Sequence, residues 1–178
     1  MFIDLIRKRR SIRRFQDKPI EPEKMDLLVE AVLRSPSSRS LNPWEFIFVK
    51  DKSTLEKLAG SKPHGASFLK HAALGVVVLA DPEKCDVWVE DCSIASIFIH
   101  LAAQSLDLGS CWIQVRKRMH DSHETSESYI KRLLGIPNPF CVESIVAIGY
   151  PDERAEGHPK DALPYDKIFI NRYGTLEG

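Results

Sequence analysis

The sequence predicts one domain in which helices and strands interleave around a single central sheet. Three observations predict it. The length, 178 residues, is that of one domain, and no repeat, low-complexity tract or Gly/Ser linker divides it. The run Leu74–Ala80, LGVVVLA, is apolar throughout, as expected of a strand covered on both faces. The stretch Val87–Leu106 reads as one long helix with apolar residues around most of its circumference, which predicts near-complete burial.

Phe2, Ile3, Leu5 and Ile6 predict a short first helix leading into a basic run, Arg7–Arg14. Pro22 suits the first position of a second helix, with Met25, Leu28, Val29 and Val32 as its core face, stopped by Ser35-Pro36. EFIFVK (Glu45–Lys50) reads as a strand. Ser53 and Glu56 form a capping box for a short helix ending at Gly60. In the long helix, Trp88, Cys92, Ala95, Ile99 and Ala102 mark one face, and Asp91, Ile94, Phe98, Leu101 and Ser105 the adjacent one. Gly109 can close that helix in the left-handed conformation. A strand at Ser110–Val115, a helix at Ser126–Leu134 closed by Gly135, and a strand at Val142–Gly149 follow. The tail from Pro151 is too apolar to float free and too irregular to be a domain, so it is expected to lie on a second subunit.

Composition excludes several classes. A hydrophobic fraction of 43% argues against disorder. Lys+Arg and Asp+Glu both number 25, so the chain lacks the cation surplus of a nucleic-acid binder. Cys85, Cys92, Cys111 and Cys141 match no zinc spacing, and no metal is expected. The N-terminus carries no signal-peptide pattern and no apolar run is long enough for a membrane span. A cytoplasmic protein with mostly buried thiols is expected.

Four segments could carry chemistry. In a helical reading of the basic run, Arg9 pairs with Arg13 and Arg10 with Arg14. With the Ser11 hydroxyl, such guanidinium forks suit a phosphomonoester; a solvated helix end is the plain alternative. The loop Pro36–Trp44 crowds Ser37, Ser38, Ser40 and Asn42 between two prolines, which suits either ligand contact or an ordinary capped connection. Along Ser110–Arg116, Trp112, Gln114 and Arg116 alternate with Cys111, Ile113 and Val115, as in a half-exposed strand. The histidines are scattered, and His120 and His123 sit in a polar loop. No catalytic nucleophile emerges: no base accompanies Cys111 and no serine occupies a nucleophile elbow. Nor is there a G-x-G-x-x-G or Walker loop.

RRSIRRF (Arg9–Phe15), SPSSRSLNPWEFIFV (Ser35–Val49), DCSIASIFIHLAAQSLDLGSCWI (Asp91–Ile113) and LLGIPNPFCVESIVAIGYP (Leu133–Pro151) stand in an order and spacing that resembles the nitroreductase family of FMN-dependent oxidoreductases, in its compact members. The resemblance runs from about residue 2 to the C-terminus. It implies an α+β fold with a central mixed sheet flanked by helices, a single domain over 1–178, and an intertwined homodimer whose tails (151–178) wrap the partner. The long helix would then be the dimer core.

The same resemblance implies the site. Arg9, Arg10 and Ser11 match phosphate- and ribityl-contacting positions. Arg13 matches the basic position near the flavin pyrimidine edge, where it would stabilise negative charge on the reduced cofactor. Pro36, Ser37 and Ser38 match the loop that covers the flavin from the partner. Gln114, Val115 and Arg116 align with the strand end whose backbone approaches the flavin N5/O4 edge. Ser40 and Asn42 stand where the family often has Asn and Gln, and both can hydrogen-bond. No Lys-x-Arg pair is present near the C-terminus; Lys160 and Arg172 are the nearest basic candidates for the phosphate. Within Lys62–Phe68, His64 and Ser67 could substitute for the family's flavin contacts. The implied function is hydride transfer from NADH or NADPH, through FMN, to a small-molecule acceptor such as a nitroaromatic, a quinone or another flavin, with neither nucleic acid nor membrane as partner. The alternatives are other FMN chemistry on the same fold (reductive dehalogenation or flavin fragmentation), a low-turnover redox sensor, or a basic run that binds an acidic partner.

Overall fold

In a computed structural model the described residues are 1–175, so the last three positions of the predicted 151–178 tail lie outside them. Five α-helices and four strands alternate there: α1 (Phe2–Lys8), α2 (Pro22–Leu33), β1 (Trp44–Val49), α3 (Lys52–Ala59), β2 (Leu74–Ala80), α4 (Trp88–Ser105), β3 (Gly109–Gln114), α5 (Ser126–Leu134) and β4 (Cys141–Gly149). The strands form one sheet in the order β1-β2-β4-β3, each neighbouring pair antiparallel. The parallel component of the mixed sheet is a single bridge, Ser11 beside Ser110, on the outer side of β3.

Both faces of the sheet are covered, which explains the unbroken apolar run of β2. On one face Val77, Leu79, Ile145 and Ala147 pack with Leu55 and Leu58 of α3, Ile130 of α5, and Ile12 and Phe15. On the other, Val76, Val78, Val146 and Ile148 pack with Leu28 and Val32 of α2 and Cys92, Ala95, Ile99 and Ala103 of α4. Burying each such side chain contributes roughly 1.5–3 kcal/mol.

Local chemistry accounts for most boundaries. Pro22 opens α2 at its first position, and Gly135 closes α5 at φ 68°. Three expectations change. The cap of α3 is Asp51, whose carboxylate accepts the Thr54 N–H at 2.8 Å, and not Ser53. The left-handed residue after α4 is Asp107, at φ 59°. Gly109 belongs to β3 instead; a Cβ there would lie 2.8 Å from Ile12, so the glycine lets the N-terminal segment lie against the strand. Lastly, α4 is buried on one side only. Ile94, Ile97 and Phe98 are exposed within the chain, as are Val29 of α2 and Phe2, Ile3 and Ile6 of α1.

Candidate functional site

The basic run is not helical throughout. Helix α1 stops at Lys8, and Arg9 is extended at φ −61°, ψ 128°. From there the chain follows the outer side of β3, where the Ile12 N–H donates to the Ser110 carbonyl at 2.9 Å. In extended backbone, side chains alternate in twos, so Arg9, Ser11 and Arg13 share one side and Arg10 and Arg14 the other, each set spread along the segment and not stacked one helical turn apart. Arg10 turns to the Glu156 carbonyl of the tail, and Arg14 lies 3.7 Å from Asp152.

Arg9, Ser11 and Arg13 take the other side, and all three act on the Cys111 thiol. Burial pushes the Cys111 thiol up, while Arg13, the Ser11 hydroxyl and Arg9 act against it. The Arg13 guanidinium also sits 5.9 Å from the Phe68 ring. The segment is pinned by Glu153, whose carboxylate accepts the N–H of Arg13 (2.6 Å) and of Arg14 (3.1 Å). The Arg13 N–H foremost, then that of Arg14, hold the Glu153 carboxyl below its ordinary range. Beneath the cluster, His100 of α4 places Nδ1 2.7 Å from the Ser110 hydroxyl. Burial, and then the Arg9 charge, push His100 down to about 4, so the imidazole is neutral near pH 7.

Beyond Ser110 the outer edge of β3 is open. The Gln114 carbonyl points outward and accepts the Lys62 ammonium at 3.0 Å. Trp112, two residues from both Ser110 and Gln114, shares that side by alternation. The Trp112 indole N–H donates to the Gln114 side-chain oxygen at 3.0 Å, and the Gln114 amide donates to the Arg116 carbonyl at 2.9 Å. The N–H groups of Val115 and Arg116 face the other way and both donate to the Glu143 carbonyl, at 3.2 and 2.9 Å. Of the three predicted strand-end positions, Gln114 is therefore the one whose backbone faces the open edge. The Arg116 guanidinium lies 5.7 Å from the Trp88 ring.

Lys62 is the residue that sequence reasoning passed over. It is half-buried, and burial, then Arg118, push its ammonium down. Its one signal was a cation inside Lys62–Phe68; His64 and Ser67 of that stretch are exposed.

The loop Pro36–Asn42 is built separately. The Ser37 hydroxyl donates to the Asn42 side-chain oxygen (2.7 Å) and accepts the Asn42 N–H (2.9 Å). The Ser38 N–H donates to Asp91 at 2.8 Å, and Arg39 pairs with Asp86, which ties the loop to the start of α4. Arg39, Ser40 and Asn42 all have positive φ, 52°, 54° and 45°. Left-handed backbone at non-glycine residues is costly and concentrates at functional sites. Among the described residues no hydrogen bond joins this loop to the Arg9–Arg13 cluster. Lys160 and Arg172 are exposed on the tail and likewise make no side-chain hydrogen bond there. A cavity of about 530 Å³ lies elsewhere, between Phe15–Ile20, Lys50, Lys52 and Lys70–Ala73.

The donor set fits a flavin mononucleotide. Arg9, Arg13 and Lys62 supply positive charge, Ser11 a hydroxyl, and β3 an open backbone edge of the kind a flavin ring edge can meet.

Comparison with known proteins places the fold. The profile of the Nitroreductase family matches residues 6–62 and 59–150. A solved FMN-dependent nitroreductase from Clostridium difficile superposes with a TM-score of 0.94, at 45% identity over 96% of this chain and 99% of that one. A provisionally named NADH dehydrogenase/NAD(P)H nitroreductase of Archaeoglobus fulgidus is 36% identical over 96% of this chain and 98% of its own. The NADPH-flavin oxidoreductase of Vibrio harveyi is 29% identical over 98% of this chain and 75% of its own. On its fold, its site and these likenesses, the chain belongs to the nitroreductase family.

Proposed function

We propose that the protein is a homodimeric, FMN-dependent NAD(P)H oxidoreductase that reduces a small electron acceptor such as a nitroaromatic, a quinone or a flavin. The observation that carries the reading is the cluster of Arg9, Ser11, Arg13 and Lys62 beside the open edge of β3. FMN, when bound, supplies the hydride relay between nicotinamide and acceptor. The chain binds, orients and charges its surroundings. Arg9 and Ser11 hold the phosphate and ribityl end, with Arg10 serving the tail contact. Arg13 sets a fixed positive charge near the pyrimidine edge, which favours electron uptake there. Gln114 faces the reacting edge, and Lys62 braces it.

Three features support the dimer. Ile94, Ile97 and Phe98 of α4 are exposed, as are Phe2, Ile3 and Ile6 of α1, which packs against α4; exposed apolar surface of this kind marks association. The loop Pro36–Asn42 is strained, polar and, among the described residues, not hydrogen-bonded to its own chain's cluster, which suits a loop contributed to a second copy's site. The tail residues Tyr165, Ile168 and Tyr173 are exposed too, as expected of a segment that lies on a partner.

The deciding experiment is the absorbance of the purified protein. A flavin spectrum that bleaches anaerobically on adding NADH or NADPH, and returns with an acceptor, supports the proposal. Colourless protein that cannot be reconstituted with FMN overturns it. Bound flavin that neither nicotinamide reduces points to the redox sensor. A monomer at micromolar concentration in light scattering contradicts the dimer.

A further inference from the structure

Strand β4 contains a residue that its neighbour does not pair. Leu74 to Val78 of β2 face Ile148 to Ser144 in step; then Leu79 faces Val142, and Glu143 is left over. Such a bulge bends its strand and re-aims a side chain. At Glu143 backbone and side chain act together. The backbone carbonyl accepts the N–H of Val115 at 3.2 Å and of Arg116 at 2.9 Å, which ties down the end of β3. The side chain is 2% exposed and turns beneath α4. One carboxyl oxygen accepts the Ser93 hydroxyl at 2.6 Å and the other the Ser144 hydroxyl at 3.2 Å.

This is a costly place for a carboxyl group. Both partners are neutral hydroxyls, and among the described residues no cation lies within ion-pair distance of Glu143. Burial raises its pKa, with Ser93, Ser144 and Arg116 opposing. An unpaired buried carboxyl is far less favourable than a hydrophobic residue of similar size, so core packing alone does not account for it. Its neighbours give another account. Val115 and Arg116 directly follow Gln114, and the Gln114 amide is itself bonded to the Arg116 carbonyl. Where Glu143 holds Arg116, it also holds Gln114 and the open edge beside it.

We propose that Glu143 is a positioning residue of the flavin site: anchored to α4 through Ser93, its bulge holds Val115 and Arg116 and through them Gln114, whose backbone faces the reacting edge of the cofactor. The inference rests on the function proposed above for its cofactor, but the bracing itself can be measured without one.

The test compares the wild type, Glu143→Gln and Glu143→Ala. In cofactor-free protein, amide hydrogen exchange at Val115 and Arg116 should quicken roughly tenfold in Glu143→Ala, the equivalent of one hydrogen bond's net contribution. Glu143→Gln, which can still hydrogen-bond both serines, should stay close to the wild type. Loaded with FMN, Glu143→Ala should keep its affinity within about threefold, because Arg9 and Ser11 lie at the other end of β3, while the flavin absorbance maximum and reduction potential move; Glu143→Gln should restore both. Unchanged exchange at Val115 and Arg116 in Glu143→Ala overturns the bracing, and so does a Gln variant as impaired as the Ala variant. Should Glu143→Ala fail to fold, Ser93→Ala removes the 2.6 Å anchor and must give the same pattern more weakly. If the wild type binds no FMN, the proposed function fails while the exchange result still decides the bracing.

Discussion

His100 should make the fold acid-sensitive in a defined window. Its imidazole is buried under the basic cluster, 2.7 Å from the Ser110 hydroxyl, and burial with the Arg9 charge lowers its pKa from 6.5 to about 4. In the unfolded chain the ring takes a proton near pH 6.5; in the native protein it refuses one until about pH 4. Between those values the unfolded state binds more protons, so stability falls as the pH falls from 6.5 towards 4, and above 6.5 the group contributes nothing. The interval is worth about 3 kcal/mol at about 1.4 kcal/mol for each pH unit. His100→Asn keeps a hydrogen-bonding group near Ser110 and cannot titrate in this range. Urea unfolding of cofactor-free protein at fixed protein concentration, from pH 7.5 to 4, should show the wild type losing about 3 kcal/mol more than the variant. Parallel pH profiles for the two proteins would refute the argument.

Four further substitutions address other links. Arg9→Ala should raise the FMN dissociation constant roughly ten- to a hundredfold, the loss of charge-assisted hydrogen bonds to phosphate, whereas Arg13→Ala should lower the flavin reduction potential by roughly 30 mV, about 1.4 kcal/mol for a two-electron couple. Fluorescence titration and anaerobic dye equilibration read the two; no change in either would return the basic run to a solvated chain segment. Gly109→Ala puts a Cβ 2.8 Å from Ile12 and should cost about 1–3 kcal/mol in thermal unfolding, together with weaker FMN retention as the Arg9–Ser11 segment lifts. Phe98→Asp places a charge in the exposed apolar face of α4 and should shift sedimentation equilibrium from dimer to monomer at micromolar concentration; a wild type already monomeric would end the dimer proposal.

The elements that local signals specify were legible. Helix α5 ends where Gly135 ends it, and β2 matches its apolar run at both ends, because caps, turns and double burial act within a few residues. What was not legible depends on contacts far along the chain. Six basic residues between Arg7 and Arg14 carry no periodicity to tell helix from extended strand, and the choice is made by Ile12 meeting Gly109 and Ser110. The two exposures of α4 could not be separated either. Apolar residues around a helix look the same whether the second side is covered by the chain itself or by another copy. Glu143 was hidden for a related reason: a bulge is a property of register between two strands, and a lone acid in CVESIVAIG gives no sign of it. Arg9, Ser11 and Arg13 were named from the basic run and, with Gln114, assigned flavin contacts through the family resemblance, yet the alternation that divides them from Arg10 and Arg14 came from the structure.

The strap formed by Arg9–Phe15 also orders events during synthesis. It leaves the ribosome well before its footholds, which are Ser110, roughly a hundred residues later, and Pro151, further still. Contacts so distant in sequence form late, after the loop-closure entropy has been overcome by the rest of the sheet. Until β3 and β4 pair, the basic segment is an untethered cationic stretch, and the donors that suit a phosphate are scattered. Phosphate capture can therefore act only on a chain whose sheet is complete, and cofactor loading would report finished folding rather than guide it.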